Sequence, residues 1–146
     1  MRVRREKSCG AVVYTETGND IGYVIVCSQT GVYGFPKGHV EGNETDCETA
    51  LREIKEETGL SVTIIPGFSQ DVSYDLPGKA GIKKQVRYFA AVFSGQKIAY
   101  QKEELTGAWI MSYDEAMEKL QFDSLKQVLS SADSFIRRYR SERRGI

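Results

Sequence analysis

One amphipathic segment constrains this chain more than any other, because residues 38–60 read GHVEGNETDCETALREIKEETGL. Small or apolar side chains recur there at the three-and-four spacing of a buried helical face, namely Cys47, Ala50, Leu51, Ile54 and Thr58. Asn43 or Thr45 is suited to cap the N-terminus, and Gly59 is suited to end the helix in a left-handed conformation. The pattern therefore predicts a helix over about residues 45–58 that packs one face against a core.

A second face of the same helix concentrates negative charge. At about 100° per residue, three carboxylates fall within about one turn, those of Glu53, Glu56 and Glu57. Exposed like charges at this spacing repel by roughly a few tenths of a kcal/mol per pair, and the positive charge of Arg52 can compensate only part of the negative charge. Such a face is either simply solvated or binds a cation.

The residues of the loop before the helix favour the interpretation that this face binds a cation. Gly38 and Gly42 bracket this loop, and glycine lets backbone carbonyls approach a ligand closely. Carboxylate and carbonyl oxygens together form a hard donor set that suits Mg²⁺ or Mn²⁺ and does not suit zinc. We therefore expect a divalent-cation site where this loop meets the helix.

Strand signals surround the helix. Runs rich in β-branched residues predict strands at 7–14, 21–27 and 61–67. Residues 71–93 predict a hairpin, with LPGKAG as its connection and Lys83 to Phe93 as its second arm. Residues 29–38, QTGVYGFPKG, predict a loop, because three glycines and a proline oppose regular structure.

Two further helices are predicted near the C-terminus. Ser112 is suited to cap a short helix that reaches Leu120, and apolar residues recur at helical spacing from Leu125 to Tyr139. The latter pattern is typical of a helix that packs on a sheet. Strands around one helix, with more helices after them, predict an α/β fold in which a mixed sheet lies between helices.

Length and composition set further bounds. The chain has 146 residues and a formal net charge of zero, which predicts one domain, 1–146, and argues against nucleic-acid binding by electrostatics. No apolar run has the roughly 18 residues that a membrane helix requires. Three widely spaced cysteines, Cys9, Cys27 and Cys47, are typical of reduced packing residues in a cytoplasmic protein.

Residues 38–60 also resemble the Nudix box, G-x5-E-x7-R-E-U-x-E-E-x-G-U, where U is a bulky aliphatic residue. Every fixed position of the box is met, by Gly38, Glu44, Arg52, Glu53, Ile54, Glu56, Glu57, Gly59 and Leu60. The resemblance implies a single Nudix hydrolase domain with an α/β/α sandwich fold. It also implies hydrolysis of a nucleoside diphosphate linked to another group, with water and a divalent metal.

The resemblance assigns roles to the box residues. It implies that Mg²⁺ or Mn²⁺ is bound by the side chains of Glu53, Glu56 and Glu57 and by the carbonyl of Gly38. It implies that Arg52 orients a catalytic glutamate through a charge-assisted hydrogen bond.

Three other glutamates are given roles outside the metal-binding set. Glu44 is expected to steady the loop before the helix. The general base either belongs to the box or comes from a later loop, where Glu103 is the first candidate and Glu104 the second. An exposed polar loop without a catalytic role is the alternative interpretation of that pair.

Segments beyond the box are similar to the asymmetrical diadenosine tetraphosphate hydrolases, which split their substrate into ATP and AMP. The similarity runs from about Cys9 to Phe135 and includes FPKGHVE, GF-x6-Y and KQVRYFAA. It implies a phosphate contact from Lys84 and a base stacked on Tyr74. Lys37 stands beside Gly38 and is also expected to reach the phosphates, and His39 on the other side of Gly38 is a candidate for phosphate contact or proton transfer. Tyr33 and Phe122 are the other stacking candidates.

Other functions remain open at this stage. ADP-ribose, a damaged nucleoside triphosphate or the triphosphorylated 5′ end of RNA could be the substrate of an intact box. A module that senses a nucleotide without cleaving it is the third alternative. The sequence leaves the choice between monomer and homodimer open.

Overall fold

The computed structural model describes residues 4–75 and 81–143. In chain order these residues form β1 (Arg4–Thr17), β2 (Asp20–Ser28), β3 (Tyr33–Gly34), β4 (Lys37–His39), α1 (Asp46–Thr58), β5 (Thr63–Asp75), β6 (Ile82–Val92), β7 (Leu105–Met111), α2 (Tyr113–Lys119) and α3 (Asp123–Arg143). None of the helices in these ranges has the length and apolar character needed to cross a membrane.

The strands of the described residues join into one seven-stranded mixed sheet with the order β3-β2-β1-β6-β5, to which β4 adds beside β1 and β7 beside β2. β1 and β6 run parallel over their whole paired length, from Arg4 opposite Ile82 to Tyr14 opposite Val92. The other pairs are antiparallel. The centre of the sheet is therefore the β1–β6 pair, and β4 joins it beside residues 8–10 of β1.

Each face of the sheet carries its own core. Alternation along β1 sends Cys9, Ala11 and Val13 to the face that α1 covers, and sends Val12 and Tyr14 to the face that α2 and α3 cover. We refer to these as the α1 face and the α2–α3 face. The arrangement is the predicted α/β sandwich with a mixed sheet between helices, and the predicted strands and helices are present in it.

The structure corrects three expectations about elements. The predicted loop 29–38 contains β3 and β4, because short segments on either side of Pro36 pair with β2 and β1, and the Pro36 carbonyl accepts the Ala11 N–H at 3.3 Å. β5 is a single long strand whose register shifts between Ile65 and Ser69. β7, which sequence patterns did not predict, pairs with β2. Most of the predicted LPGKAG connection lies outside the described residues.

Two expectations about burial are also corrected. Leu51 is 39% exposed, and Cys47 is exposed, so neither belongs to the buried face of α1. Thr49 occupies that face instead, fully buried, because its hydroxyl donates to the Glu44 carboxylate at 3.0 Å and is thereby satisfied. Cys9 and Cys27 are buried and free, as predicted.

Candidate active site

The ends of α1 are fixed by local capping. The Thr45 side chain accepts the Glu48 N–H at 3.2 Å, and the Glu48 carboxylate accepts the Thr45 N–H at 2.8 Å, which completes a capping box. At the other end Gly59 has φ 75°, and its N–H donates to the Lys55 carbonyl. The predicted helix is thus confirmed, with Thr45 as the cap.

The guanidinium of Arg52 ties α1 to the loop before it. Its Nε and Nη2 donate to the two carboxylate oxygens of Glu44 at 2.6 and 3.0 Å, a bidentate geometry that is stronger than a single contact. Glu44 also accepts the Glu41 N–H at 3.0 Å. These hydrogen bonds, above all those from Arg52, hold the pKa of Glu44 down to about 2. Glu44 therefore stays ionised and braces the loop, as its predicted role requires.

The same guanidinium reaches the acidic edge of the helix. Its Nη1 donates to Glu53 and to Glu56, at 3.1 Å each, and its Nη2 donates to the His39 carbonyl at 2.9 Å. One cation thus orients two of the three predicted metal-binding carboxylates and one carbonyl of β4. This is the geometry that a residue orienting a catalytic glutamate would need.

Gly38 lies directly against Glu53. A methyl group added at Gly38 would overlap the Glu53 carboxyl group, so only glycine permits this approach. The contact arises because Gly38 pairs with Cys9 in the sheet and therefore lies on the α1 face. The loop glycine and the helix carboxylate are brought together, as the predicted cation site requires.

Among the three carboxylates, burial has its largest effect on the pKa of Glu57. Its Oε1 accepts the Lys37 N–H at 3.1 Å. Burial, with smaller contributions from the negative charges of Glu53 and Glu104, nevertheless raises its pKa to about 7. Burial likewise raises the pKa of Glu53. Both carboxylates are therefore unfavourable in their ionised form, and they repel each other. A bound divalent cation would offset this repulsion and the cost of burying the charges.

The donor set fits a divalent cation of the magnesium type. Glu53 presents its carboxylate beside Gly38, and Glu57 presents one at the N–H of the preceding residue, Lys37. These donors are oxygens, and hard oxygen donors suit Mg²⁺ and Mn²⁺. Over residues 4–75 and 81–143, no group of three or more His, Cys, Asp or Glu side chains is arranged to hold a metal ion. Arg52 pairs with two of the carboxylates instead. The predicted ligand set stays a prediction.

Cationic and aromatic side chains lie on the opposite face of the sheet. Lys84 pairs in register with Tyr74, and strand alternation places it with Val86 and Tyr88 on the α2–α3 face. Burial first, and then the charge of the nearby Lys84, lower the pKa of Lys37. Two lysines and an aromatic ring that is 43% exposed, that of Tyr74, therefore share one surface.

Comparison of the sequence with models of protein families identifies the family of this chain. The family model described as the NUDIX domain matches residues 4–132. The chain belongs to the NUDIX family. The predicted family and the predicted class of enzyme, a NUDIX hydrolase, are confirmed. Such enzymes generally use divalent metal ions and act on small nucleotide substrates.

Relatives of this NUDIX hydrolase are informative about its subfamily. It is 29% identical over 143 residues to the asymmetrical bis(5'-nucleosyl)-tetraphosphatase of Sus scrofa, over 89% of this chain and 95% of the relative. It is 29% identical over 90 residues to the enzyme of the same name from Caenorhabditis elegans, over 58% and 63% of the two chains. Its fold is similar to the crystal structure of a C. elegans Ap4A hydrolase binary complex, with a TM-score of 0.82 and 22% identity over 90% of this chain and 97% of that chain.

The remaining predicted residues of the NUDIX hydrolase are distributed around this site. His39 is exposed and contributes its backbone carbonyl to Arg52. Tyr33 is half-buried on β3, and Phe122 is 52% exposed between α2 and α3. Glu103 and Glu104 are both exposed, and neither side chain makes a hydrogen bond or salt bridge within the described parts of the chain. Glu104 is close enough to make a small contribution to the raised pKa of Glu57.

Some residues of the site were not predicted from the sequence. Tyr88 is buried, its pKa is raised by burial, and the charges of Tyr74 and Glu57 contribute to that shift. Its ring lies on the α2–α3 face with Lys84, near enough to the acidic helix edge for Glu57 to act on its pKa. Glu41 adds a fourth carboxylate to Arg52, at 3.2 Å. The alternation of β6 could have placed Tyr88 with Lys84, but no local signal identified Glu41.

Proposed function

We propose that this NUDIX hydrolase cleaves dinucleoside polyphosphates, with diadenosine tetraphosphate as the preferred substrate. The reaction consumes one water and yields ATP and AMP. The observation that carries the proposal is the partly buried acidic edge on α1, which acts on Lys37, together with Lys84 and Tyr74 beside Lys37 on the opposite face of the sheet. An extended anionic chain with a base at its end needs these groups together. The named activity of the relatives from pig and nematode supports the same substrate class.

The proposed metal is Mg²⁺ or Mn²⁺, held by Glu53, Glu56, Glu57 and the Gly38 carbonyl. When bound, the metal neutralises phosphate oxygens and acidifies the attacking water. The fit rests on oxygen donors alone and on the close approach of Gly38 to Glu53. Arg52 supports these ligands by donating to Glu53 and Glu56.

Each chain residue then has a defined task. Lys37 and Lys84 attract the phosphate chain, and the burial that lowers the pKa of Lys37 strengthens its interaction with an anion. Glu104 is proposed as the general base that receives a proton from water, supported by its effect on Glu57. Glu103 is the alternative base. His39 is proposed as a further phosphate contact because it follows Gly38 at the end of β4.

Base recognition is assigned to exposed aromatic rings. Tyr74 is proposed to stack on the adenine beside Lys84, because its ring is partly exposed next to the cation that would hold the adjoining phosphate. Stacking on an aromatic ring binds a base without reading its identity. Phe122 and Tyr33 are the other stacking candidates, and both are accessible on the α2–α3 side.

Product analysis tests the proposal directly. Incubation of the protein with diadenosine tetraphosphate and Mg²⁺, followed by anion-exchange chromatography, should yield equal amounts of ATP and AMP. Two molecules of ADP would contradict the asymmetric cleavage. Turnover only of ADP-ribose, an oxidised nucleoside triphosphate or a 5′-triphosphorylated RNA would reassign the substrate, and binding without turnover would make the protein a sensor.

We further propose that residues 1–146 act as one domain in the cytoplasm, as a monomer or homodimer. The buried free thiols of Cys9 and Cys27 support a reducing compartment. Light scattering coupled to size-exclusion chromatography would distinguish the two oligomeric states.

A further inference from the structure

Trp109 on β7 is held in a fixed orientation although it is 41% exposed. Its indole lies over Gly107, the residue two positions earlier on the same face of the strand. A methyl group at Gly107 would come within 2.5 Å of the indole atoms Cη2 and Cζ2. One side of the ring therefore rests on the backbone of β7, and the rest of it is accessible to solvent.

A second ring extends this surface. The Tyr33 ring lies 5.8 Å from that of Trp109, centroid to centroid, at an interplanar angle of 35°. The Lys119 ammonium lies 5.5 Å from the Tyr33 centroid. Gln121 fixes the segment that carries Tyr33, because its side chain accepts the Tyr33 N–H and donates to the Gly31 carbonyl, at 3.0 Å each. The two rings thus form a rigid aromatic surface with one positive charge beside it.

This surface is near the proposed phosphate-binding lysines. β3 carries Tyr33 and β4 carries Lys37, and both belong to one short segment. At no more than about 3.5 Å per residue, the Cα atoms of Tyr33 and Lys37 are at most about 14 Å apart. A phosphate chain bound at Lys37 therefore has at most about this distance to cover before it reaches the aromatic surface.

We propose that Trp109 and Tyr33, with Lys119 beside them, bind the second nucleobase of a dinucleoside polyphosphate. The proposal rests on the function proposed above and adds a site for the half of the substrate that Tyr74 does not contact. A base is the fitting occupant because a flat, preorganised aromatic surface with an adjoining cation complements a nucleoside next to its phosphate. A stable protein interface needs about 800 Å² per partner, far more than two rings offer.

Kinetics with one-base and two-base substrates test the assignment. Adenosine tetraphosphate has a single base, which can still use Tyr74, whereas diadenosine tetraphosphate requires both surfaces. Trp109→Leu should therefore raise KM about tenfold for the dinucleotide and change kcat/KM for adenosine tetraphosphate by less than about twofold. Ile110→Ala, at an exposed neighbour on the opposite face of β7, is the control and should leave the ratio of the two kcat/KM values unchanged. Equal losses for both substrates in Trp109→Leu, or no loss for either, would overturn the proposal.

A binding measurement with a substrate analogue that is not cleaved tests the second base site separately from the proposed activity. Trp109 is the single tryptophan of the chain, so its fluorescence reports on this surface alone. A methylene-bridged, non-hydrolysable diadenosine tetraphosphate should quench it, and inorganic tripolyphosphate with the same Mg²⁺ should not. If the protein cleaves the dinucleotide but the analogue leaves the fluorescence unchanged at concentrations that saturate calorimetric binding, only the second base site is refuted. If quenching occurs without any cleavage, the site stands and the catalytic proposal fails.

Discussion

Replacing Glu57 with glutamine should make the metal-free protein more stable while it inactivates the enzyme. The Glu57 carboxylate is partly buried at the end of α1, and this burial is the largest cause of its raised pKa. Glutamine has nearly the same shape, and its Oε1 can still accept the Lys37 N–H. The substitution therefore removes the unfavourable charge and keeps the packing and the hydrogen bond.

The size of the effect follows from the pKa. The pKa of Glu57 is raised from 4.5 to about 7, and each pKa unit corresponds to about 1.4 kcal/mol. Because the folded pKa lies above the unfolded value, the favourable contribution of the protonated form is complete below pH 4.5 and is lost as the pH rises through 7. Above about pH 8 the ionised carboxylate lowers the free energy of unfolding of the metal-free protein by about 3 kcal/mol.

Urea denaturation in EDTA at a series of pH values measures this effect. The free energy of unfolding of Glu57→Gln should be up to about 3 kcal/mol higher than that of the wild type at pH 8.5, and the difference should vanish near pH 4.5. Glu56→Gln is the matched control. Its carboxylate is 48% exposed and paired with Arg52, so neutralising it should change stability by less than about 1 kcal/mol at either pH.

Activity and metal binding complete the test. If Glu57 is a metal ligand, Glu57→Gln should lower turnover by at least about 10², and Mg²⁺ should stabilise the variant less than the wild type at pH 8.5. A variant no more stable than the wild type at pH 8.5, or a difference that does not change with pH, would refute the account of Glu57 as a strained carboxylate.

Three further predictions concern individual positions. Gly38→Ala should lower turnover by at least about 10² with little change in circular dichroism, because the added methyl group displaces the Glu53 carboxyl group. Glu104→Gln should lower kcat by at least about 10², and Glu103→Gln by less than about twofold; the reverse order in steady-state kinetics would assign the base to Glu103. A thiol reagent should modify one cysteine per native chain, Cys47, and all three after unfolding; more than one modified thiol in the native protein would contradict the burial of the other two.

The box helix could be predicted because its signals are local. The capping residues, the charged edge and the terminal glycine lie on one short segment, and each acts on its near neighbours. The burial of Thr49 on the inner face of α1, where Leu51 was expected, could not be predicted in the same way. It depends on the Glu44 carboxylate, which lies in the preceding loop and satisfies the Thr49 hydroxyl.

The missed strands have a different cause. β3 and β4 are two and three residues long, and their pairing is set by β2 and β1, which are distant partners in the sheet. β7 contains Gly107 and the exposed Trp109 and Ile110, so it lacks the regular alternation of a half-buried strand. Glu103 and Glu104 differ in position by one residue, and only the turn before β7 decides which of them acts on Glu57.

The anchoring of α1 explains how the fold tolerates its acidic edge. A loss of about 3 kcal/mol at Glu57 is a large part of the 5–15 kcal/mol that typically stabilises a domain, so the helix must be fixed elsewhere. Asp46, in its first turn, accepts hydrogen bonds from Lys7 of β1 and Arg87 of β6, at 2.9 Å each, and a carboxylate there is favourable to the helix dipole. Ile54 is fully buried midway along the helix. These attachments lie before the last turn, which carries Glu57, so they do not depend on whether the Glu57 charge is neutralised.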